Sequence, residues 1–118
     1  KKVTFIDKSK KAINILKKNI TNLGIENNIE LFHSDVMNIL KKEKVDKFNI
    51  FFFDPPFKDK SFIEIIKLIK SKKIFQKKNL VIIHREKKTE DDLENVLKVF
   101  LTKTYSRSKI LFASFSAQ

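Results

Sequence analysis

The chain has 118 residues, which is enough for one domain with one modest hydrophobic core. Its residues are 42% hydrophobic and 34% charged, and no apolar run approaches the roughly 20 residues of a membrane span, so we expect a soluble protein without a membrane segment. The N-terminal residues lack a signal-peptide pattern. Because cysteine is absent, disulfides and thiolate zinc sites are excluded, and we expect a reducing, cytoplasmic location.

The charge balance is strongly basic. The chain carries 26 Lys and Arg against 14 Asp and Glu, a formal net charge of +12, and only Arg85 and Arg107 of these cations are arginine. Such a balance favours a polyanionic partner, because each lysine that pairs with a phosphate releases condensed counterions. An AT-rich coding sequence is the alternative, since it also enriches Lys, Ile, Asn and Phe at the expense of Gly, Ala, Pro and Arg.

The first third of the chain is typical of a strand followed by a helix. Residues 3–7 are β-branched and aromatic and predict a buried strand. Asp7 or Ser9 can then cap a helix that runs to about Leu23, and Gly24, the only glycine, stands where a left-handed C-cap is wanted. The predicted inward residues of this helix recur at three- and four-residue steps: Ile13, Leu16, Ile20 and Leu23.

The same pattern repeats twice in the middle of the chain. Residues 29–35 predict a strand that ends in Asp35, which can cap a short helix over 36–43. Residues 48–54 form a nearly continuous apolar run, as expected for a central parallel strand covered on both faces. Residues 61–71 predict a helix. Its predicted inward side chains are Phe62, Ile65, Ile66 and Ile69.

The last third predicts a strand at 79–86, a helix at 89–101 and a final strand at 109–115. Thr89 and Asp92 have the spacing of a capping box. The apolar residues of the predicted helix fall on one face: Leu93, Val96, Leu97 and Phe100. The last strand is expected to pair antiparallel with a short strand before it.

Strands that alternate with helices predict an α/β doubly wound fold with a mostly parallel sheet, in a single domain over residues 1–118. In such sheets the binding site lies outside the carboxyl ends of the strands. Three predicted strands end in an acid, and we therefore expect Asp7, Asp35 and Asp54 to converge on one rim.

Asp54 is followed by two prolines and an aromatic residue. Pro55 and Pro56 have no N–H and a fixed φ, so the chain leaves the strand as a stiff corner that offers carbonyl oxygens and no donors. The Asp54 carboxylate and the Pro55 carbonyl could each accept one hydrogen from an exocyclic amine and aim its lone pair at an electrophile. Phe57 could stack on a flipped base. The plain alternative is that the prolines only end the strand.

The two earlier acids suggest a nucleotide-like cofactor. Asp7 could accept from ribose hydroxyls, and Asp35, with the backbone N–H of Val36, could bind an adenine amino group. Helix capping is an alternative role for both acids, compatible with ligand binding. We expect structural roles for His33 and His84. Neither a metal-ligand pattern nor a nucleophile elbow is present, so we expect neither metal nor covalent chemistry.

These motifs, in this order, resemble the class I S-adenosylmethionine-dependent methyltransferases, and most closely the bacterial 16S ribosomal RNA guanine-N2 methyltransferase family. The similarity spans essentially the whole chain, and the closing YSRSKILFASF is similar to that family's final hairpin. The positions that carry it are Asp7-Lys8, Ser34-Asp35 and Asp54-Pro55-Pro56-Phe57.

The resemblance implies a Rossmann-like fold whose sheet is mostly parallel with a C-terminal antiparallel strand pair. It implies methyl transfer from S-adenosyl-L-methionine to a guanine N2 amine in 16S rRNA or the small ribosomal subunit. Asp54, Pro55, Pro56 and Phe57 would then form the catalytic corner. The implied cofactor-binding residues are Asp7, Lys8, Asp35 and Val36.

One part of the family pattern is missing. The glycine-rich cofactor loop that follows the family's first strand is absent, and Gly24 is in a different place. We therefore expect a fragment that lacks the first strand and this loop and is inactive alone. Two alternatives stay open: methylation of another nucleic-acid amine such as adenine N6 in DNA, and a non-catalytic RNA-binding module.

Overall fold

The computed structural model describes residues 2–42 and 44–116 and divides the chain into two units. Unit 1 comprises Lys1–Lys44 and unit 2 comprises Val45–Gln118. Unit 1 contains a two-stranded parallel sheet, and unit 2 contains a four-stranded mixed sheet. Within the described ranges, no helix has the length and apolarity needed to cross a membrane.

Within residues 2–42, unit 1 forms two strands, two α-helices and a short 3-10 turn. Its elements in chain order are β1 (Val3–Asp7), α1 (Lys10–Leu23), the turn Glu26–Asn28, β2 (Ile29–His33) and α2 (Val36–Leu40). The two strands pair in parallel along their whole length, which places Asp7 opposite His33. The predicted strand-helix-strand order is confirmed here.

Helix α1 begins after Ser9, one of its two predicted N-caps, and ends at the predicted C-cap Gly24. The Ser9 hydroxyl accepts a hydrogen bond from the Ala12 N–H at 3.2 Å, and Gly24 closes the helix at φ 68° and ψ 32°. Ile13 and Ile20 are buried as expected. Leu23 was expected to face inward, but it is the last residue of the helix and is 71% exposed.

Helix α2 is shorter than the predicted 36–43. Asp35 is its N-cap, with Oδ1 accepting from the Met37 N–H at 2.9 Å, and the C-cap is Lys41. Leu40 is the buried residue of this helix, and Val36, Met37 and Ile39 are half-buried. Residue 43, the end of the predicted helix, lies outside the described residues.

The described part of unit 2 contains one α-helix and four strands. They are β3 (Phe48–Phe53), α3 (Phe62–Lys72), β4 (Phe75–Glu86), β5 (Lys98–Thr104) and β6 (Ser108–Ser114). The strand order is β3-β4-β6-β5, with β3 parallel to β4 and the other neighbours antiparallel. The predicted helix at 61–71 and the C-terminal antiparallel pair are confirmed, and the strand predicted at 79–86 begins earlier, at Phe75.

The core of unit 2 lies on one side of its sheet. Alternation along β4 puts Val81, Ile83 and Arg85 on the buried face, and His84 on the opposite face. The Phe62 ring of α3 lies 4.7 Å from the Arg85 guanidinium carbon. The most buried residues of α3, β4 and β6 are Phe62, Ile66, Ile69, Val81, Ile83, Arg85 and Ala113.

The prediction of a helix at 89–101 is wrong. Only one helical turn forms, with the N–H groups of Val96 and Leu97 donating to the Leu93 carbonyl at 3.1 and 2.9 Å. This turn explains the apolar spacing, because all three of these side chains are buried. From Lys98 onward the chain pairs with β6 instead.

The backbone before and within that turn is held by side chains from elsewhere in unit 2. Three lysine ammonium groups donate to its carbonyls: Lys109 to Thr89, Lys60 to Glu90 and Lys70 to Asn95. The predicted capping box does not form, because the Thr89 hydroxyl donates to the Glu86 carbonyl. These long-range bonds replace the i to i−4 bonds of a helix.

Strand β3 differs from the central strand that was expected. It is an edge strand of the four-stranded sheet that the described residues form. Ile50 and Phe52 share one face of it and are 59% and 66% exposed. The apolar run therefore predicted the strand correctly, but the prediction that both faces of the strand are buried was wrong.

Candidate active site

The strongest candidate site is the segment Asp54–Phe57, here called the acceptor corner. It follows β3 directly and leaves the sheet in an irregular conformation. The Asp54 side chain is 58% exposed and Phe57 is 47% exposed, so both are accessible to a ligand. The Asp59 N–H donates to the Pro56 carbonyl at 2.9 Å and closes the turn behind the corner.

His84 contacts the acceptor corner from the neighbouring strand. Phe53 and Ile83 are partners in the parallel pairing of β3 and β4, so the residues that follow them, Asp54 and His84, are also neighbours. His84 Nδ1 lies 2.9 Å from Asp54 Oδ1. An ionised carboxylate only accepts, so Nδ1 donates in this bond. The structural role expected for His84 overlooked this contact with the candidate catalytic acid.

Arg85, the next residue, contacts the corner from the buried face of the sheet. Its side chain is fully buried. Nη1 donates to the Pro56 carbonyl at 3.2 Å, and Nη2 donates to the Phe57 carbonyl at 2.8 Å. Nε donates to Asp91 Oδ2 at 2.8 Å, which pairs the buried charge. The guanidinium therefore donates to the carbonyls of the last two residues of the corner, Pro56 and Phe57.

Asp91 completes this buried group. Its side chain is 2% exposed, and Lys60 Nζ lies 3.2 Å from Oδ1. Burial raises the pKa of the Asp91 carboxyl, but hydrogen bonds and charge from Arg85 and Lys60 outweigh it, so the pKa falls below its ordinary value of 3.8. Neither Arg85 nor Asp91 was singled out as a site residue from the sequence, where Asp91 lay within the helix predicted at 89–101.

The predicted cofactor residues lie in unit 1, at one edge of its sheet. Asp7 ends β1, and its carbonyl accepts from the Ser34 N–H at 3.0 Å, which ties the two strand ends together. Asp7 Oδ1 accepts from the Ser9 N–H at 2.8 Å, and Asp35 caps α2 with its own Oδ1. Lys8 is exposed, and its carbonyl contacts His33 Nε2 at 3.0 Å.

The structure thus brings together two subsets of the predicted site. Asp7 and Asp35 follow adjacent parallel strands of unit 1, as expected of a shared rim. Asp54 belongs to unit 2, where it meets His84. That all three acids share one rim stays a prediction. Among the described residues, no group of three or more His, Cys, Asp or Glu could hold a metal ion.

A family model described as Conserved hypothetical protein 95 matches residues 1–114. The chain is also 34% identical over 85 residues to ribosomal RNA small subunit methyltransferase D of Buchnera aphidicola subsp. Acyrthosiphon pisum (strain APS). That match covers 72% of this chain but only 44% of the relative, so the chain spans less than half of the curated protein it resembles.

Solved structures show the same fold. A conserved hypothetical protein from Streptococcus pyogenes is 21% identical, with a TM-score of 0.84 over 95% of this chain and 70% of that chain. An rRNA methylase from Streptococcus thermophilus is 20% identical, with a TM-score of 0.71 over 98% and 74% of the two chains. These findings confirm the resemblance drawn from the motifs: the chain has the class I methyltransferase fold and belongs to the Conserved hypothetical protein 95 family.

Proposed function

We propose that this protein transfers a methyl group from S-adenosyl-L-methionine to the exocyclic N2 amine of a guanine in 16S ribosomal RNA. The proposal rests above all on the acceptor corner, whose exposed carboxylate follows a parallel strand and precedes two prolines. It is further supported by the similarity to a ribosomal RNA small subunit methyltransferase. The net charge of +12 suits an RNA substrate.

In the proposed reaction the acceptor corner binds the amine. Asp54 Oδ1 is held by His84, which leaves Oδ2 to accept one amine hydrogen, while the Pro55 carbonyl accepts the other. These two bonds turn the nitrogen lone pair out of conjugation with the base. The exposed Phe57 ring stacks on the base. The nitrogen would gain the methyl group as the sulfur–methyl bond breaks and leaves a neutral thioether, and it would lose one proton, for which the Asp54 carboxylate is an acceptor.

The residues of unit 1 fit a nucleotide-like cofactor. Asp7 Oδ1 accepts from the Ser9 N–H and Asp35 Oδ1 accepts from the Met37 N–H, so Oδ2 of each acid can accept from a ribose hydroxyl or from an adenine amine. Val36 begins α2, and the first-turn N–H groups of a helix have no acceptor within the helix. Lys8 is exposed beside them. When bound, S-adenosyl-L-methionine supplies a methyl group on a sulfonium, which is electrophilic.

The test is an Asp54→Ala substitution in the protein expressed from its complete gene. Loss of the carboxylate removes one of two amine acceptors, and we expect methyl transfer to 16S rRNA to fall by at least about 100-fold. The measurement is incorporation of labelled methyl groups, followed by mass spectrometry of the nucleosides to identify N2-methylguanosine.

Asp46→Ala is the matched control, since Asp46 is also an exposed acid of unit 2. It should leave both turnover and RNA affinity unchanged. Full activity of Asp54→Ala would rule out the role of Asp54. Methylation of adenine instead of guanine would change the assigned substrate, and binding of rRNA without any methyl transfer would favour a non-catalytic RNA-binding module.

A further inference from the structure

We propose that His84 and Arg85 act together as a clamp that positions the acceptor corner for methyl transfer. The two residues are consecutive at the end of β4, and their side chains point to opposite faces of the sheet. His84 holds the Asp54 side chain from one face, and Arg85 holds the backbone of Pro56 and Phe57 from the other.

The conformation of the acceptor corner depends on hydrogen-bond donors from other parts of the chain. Pro55 and Pro56 have fixed φ angles but no N–H, so they donate no bond that could hold the segment in place. The ψ angles on either side still set where the Asp54 carboxylate and the Pro55 carbonyl point. The Asp59 N–H and the Arg85 guanidinium both donate to the Pro56 carbonyl and so restrain this part of the chain.

Arg85 is arranged as a rigid donor. All three guanidinium nitrogens are hydrogen bonded, and one face of the group lies 4.7 Å from the Phe62 ring. Burial of the Arg85 charge costs solvation free energy, and the ion pair with Asp91 offsets this cost. Well-packed apolar side chains often replace a buried ion pair without loss of stability, but they would leave the carbonyls of Pro56 and Phe57 without their guanidinium donors.

His84 acts on the reacting group more directly. Its Nδ1–H occupies Asp54 Oδ1 and restrains the orientation of the carboxylate. An Asn side chain carries an amide nitrogen at the same distance along the side chain as Nδ1, so it can keep this donor. A Leu side chain of similar volume removes it. This pair of substitutions therefore separates the hydrogen bond from packing.

The inference rests on the proposed function for its kinetic test, which uses the complete protein, S-adenosyl-L-methionine and 16S rRNA. We expect His84→Leu to lower kcat roughly 10- to 100-fold with little change in KM for rRNA. His84→Asn should recover kcat to within about threefold of the wild type. Equal losses for Leu and Asn would overturn the role of the His84 bond.

Arg85 is tested with the double variant Arg85→Met, Asp91→Leu, which removes both charges together. We expect its melting temperature to stay within about 5 °C of the wild type, with kcat lowered roughly 10- to 100-fold. Wild-type kcat in a folded double variant would overturn the role of Arg85. If the double variant does not fold, Arg85→Lys keeps the charge but offers fewer fixed donors and should show the same loss of kcat.

A second readout does not depend on methyl transfer. Amide hydrogen exchange of Asp59, whose N–H bonds the Pro56 carbonyl, should quicken at least about tenfold in the double variant and stay unchanged in Asp46→Ala. Unchanged exchange at Asp59 would contradict the clamp. If the wild-type protein methylates no guanine, the proposed function is refuted. The clamp would still be supported if exchange at Asp59 is slow in the wild type and faster in the double variant.

Discussion

At the residue scale, the buried ion pair between Arg85 and Asp91 has the largest expected effect on stability. Both side chains are almost fully excluded from water, at 0% and 2% exposure. Removing one partner leaves the other charged and buried, which costs about 3–5 kcal/mol. The pair also connects the acceptor corner to the segment before β5. Loss of the pair is therefore expected to destabilise both of these segments.

The lowered pKa of Asp91 predicts an acid-dependent contribution to stability. The unfolded carboxyl takes up a proton near its ordinary pKa of 3.8, whereas the folded one stays ionised to lower pH because Arg85 and Lys60 favour the charge. The unfolded state then binds more protons, so stability rises with pH in this range. The contribution is fully present above the unfolded pKa and is lost as pH falls through the lower folded pKa.

Asp91→Asn keeps the shape of the side chain but cannot ionise, and its effect should therefore depend on pH. We expect its loss of unfolding free energy relative to the wild type to be largest above about pH 5 and to shrink below about pH 4. Urea unfolding curves at several pH values measure this difference. A constant difference over the whole range would show that Asp91 stabilises the fold by a route other than its charge.

At the scale of elements, two helices end in the left-handed conformation, but with different residues. Gly24 closes α1 at φ 68°, and Lys73 closes α3 at φ 54°. Glycine adopts this region freely, whereas a residue with a Cβ is strained there by roughly 1–2 kcal/mol. Substitutions at the two caps are therefore expected to change stability in opposite directions.

Gly24→Ala should destabilise unit 1 by about 1 kcal/mol, and Lys73→Gly should stabilise unit 2 by up to about 1 kcal/mol. Nothing lies within 4 Å of a Cβ added at Gly24, so the expected loss comes from the backbone angle alone. Thermal and chemical denaturation measure both. Lys67→Gly, inside α3, is the control and should destabilise. If Lys73→Gly destabilised by a similar amount, the conformation assigned to this cap would be wrong.

The elements also show where local pattern misleads. Leu93, Val96 and Leu97 have helical spacing, but one turn is enough to bury all three. The residues after them pair with β6, and the carbonyls before them accept from distant lysines. Such partners are far along the chain, and a pattern within 13 residues carries no information about them.

At the scale of the whole molecule, the net charge of +12 is the feature that most needs a partner. If the lysines bind RNA phosphates, the logarithm of affinity should fall with the logarithm of salt concentration by about 0.7 for each phosphate contact with single-stranded RNA. Binding of a labelled 16S rRNA fragment, titrated between about 50 and 200 mM salt, measures this slope. A slope near zero would mean that the charge reflects composition and not phosphate contacts.

The single domain predicted over 1–118 stays a prediction at this scale. Units 1 and 2 each have their own sheet, and the family match spans both. The apolar side chains on one face of β3, Ile50 and Phe52, are exposed among the described residues. The expectation of a strand covered on both faces failed because an apolar sequence reports what a strand prefers to contact, and not whether a contact is made.

The sequence by itself determined the order of the strands and helices, apart from the 89–101 helix, and the caps at Gly24 and Asp35, whereas it left Asp7 and Ser9 as alternative N-caps of α1. It also identified the Asp54–Phe57 corner, because these features depend on residues a few positions apart. Only the tertiary structure decided what contacts that corner. The parallel pairing of β3 and β4 brings His84 to Asp54 across 30 residues, and Arg85 to the carbonyls of Pro56 and Phe57 across 29 and 28. Such contacts arise from strand register and burial, which local sequence patterns do not specify.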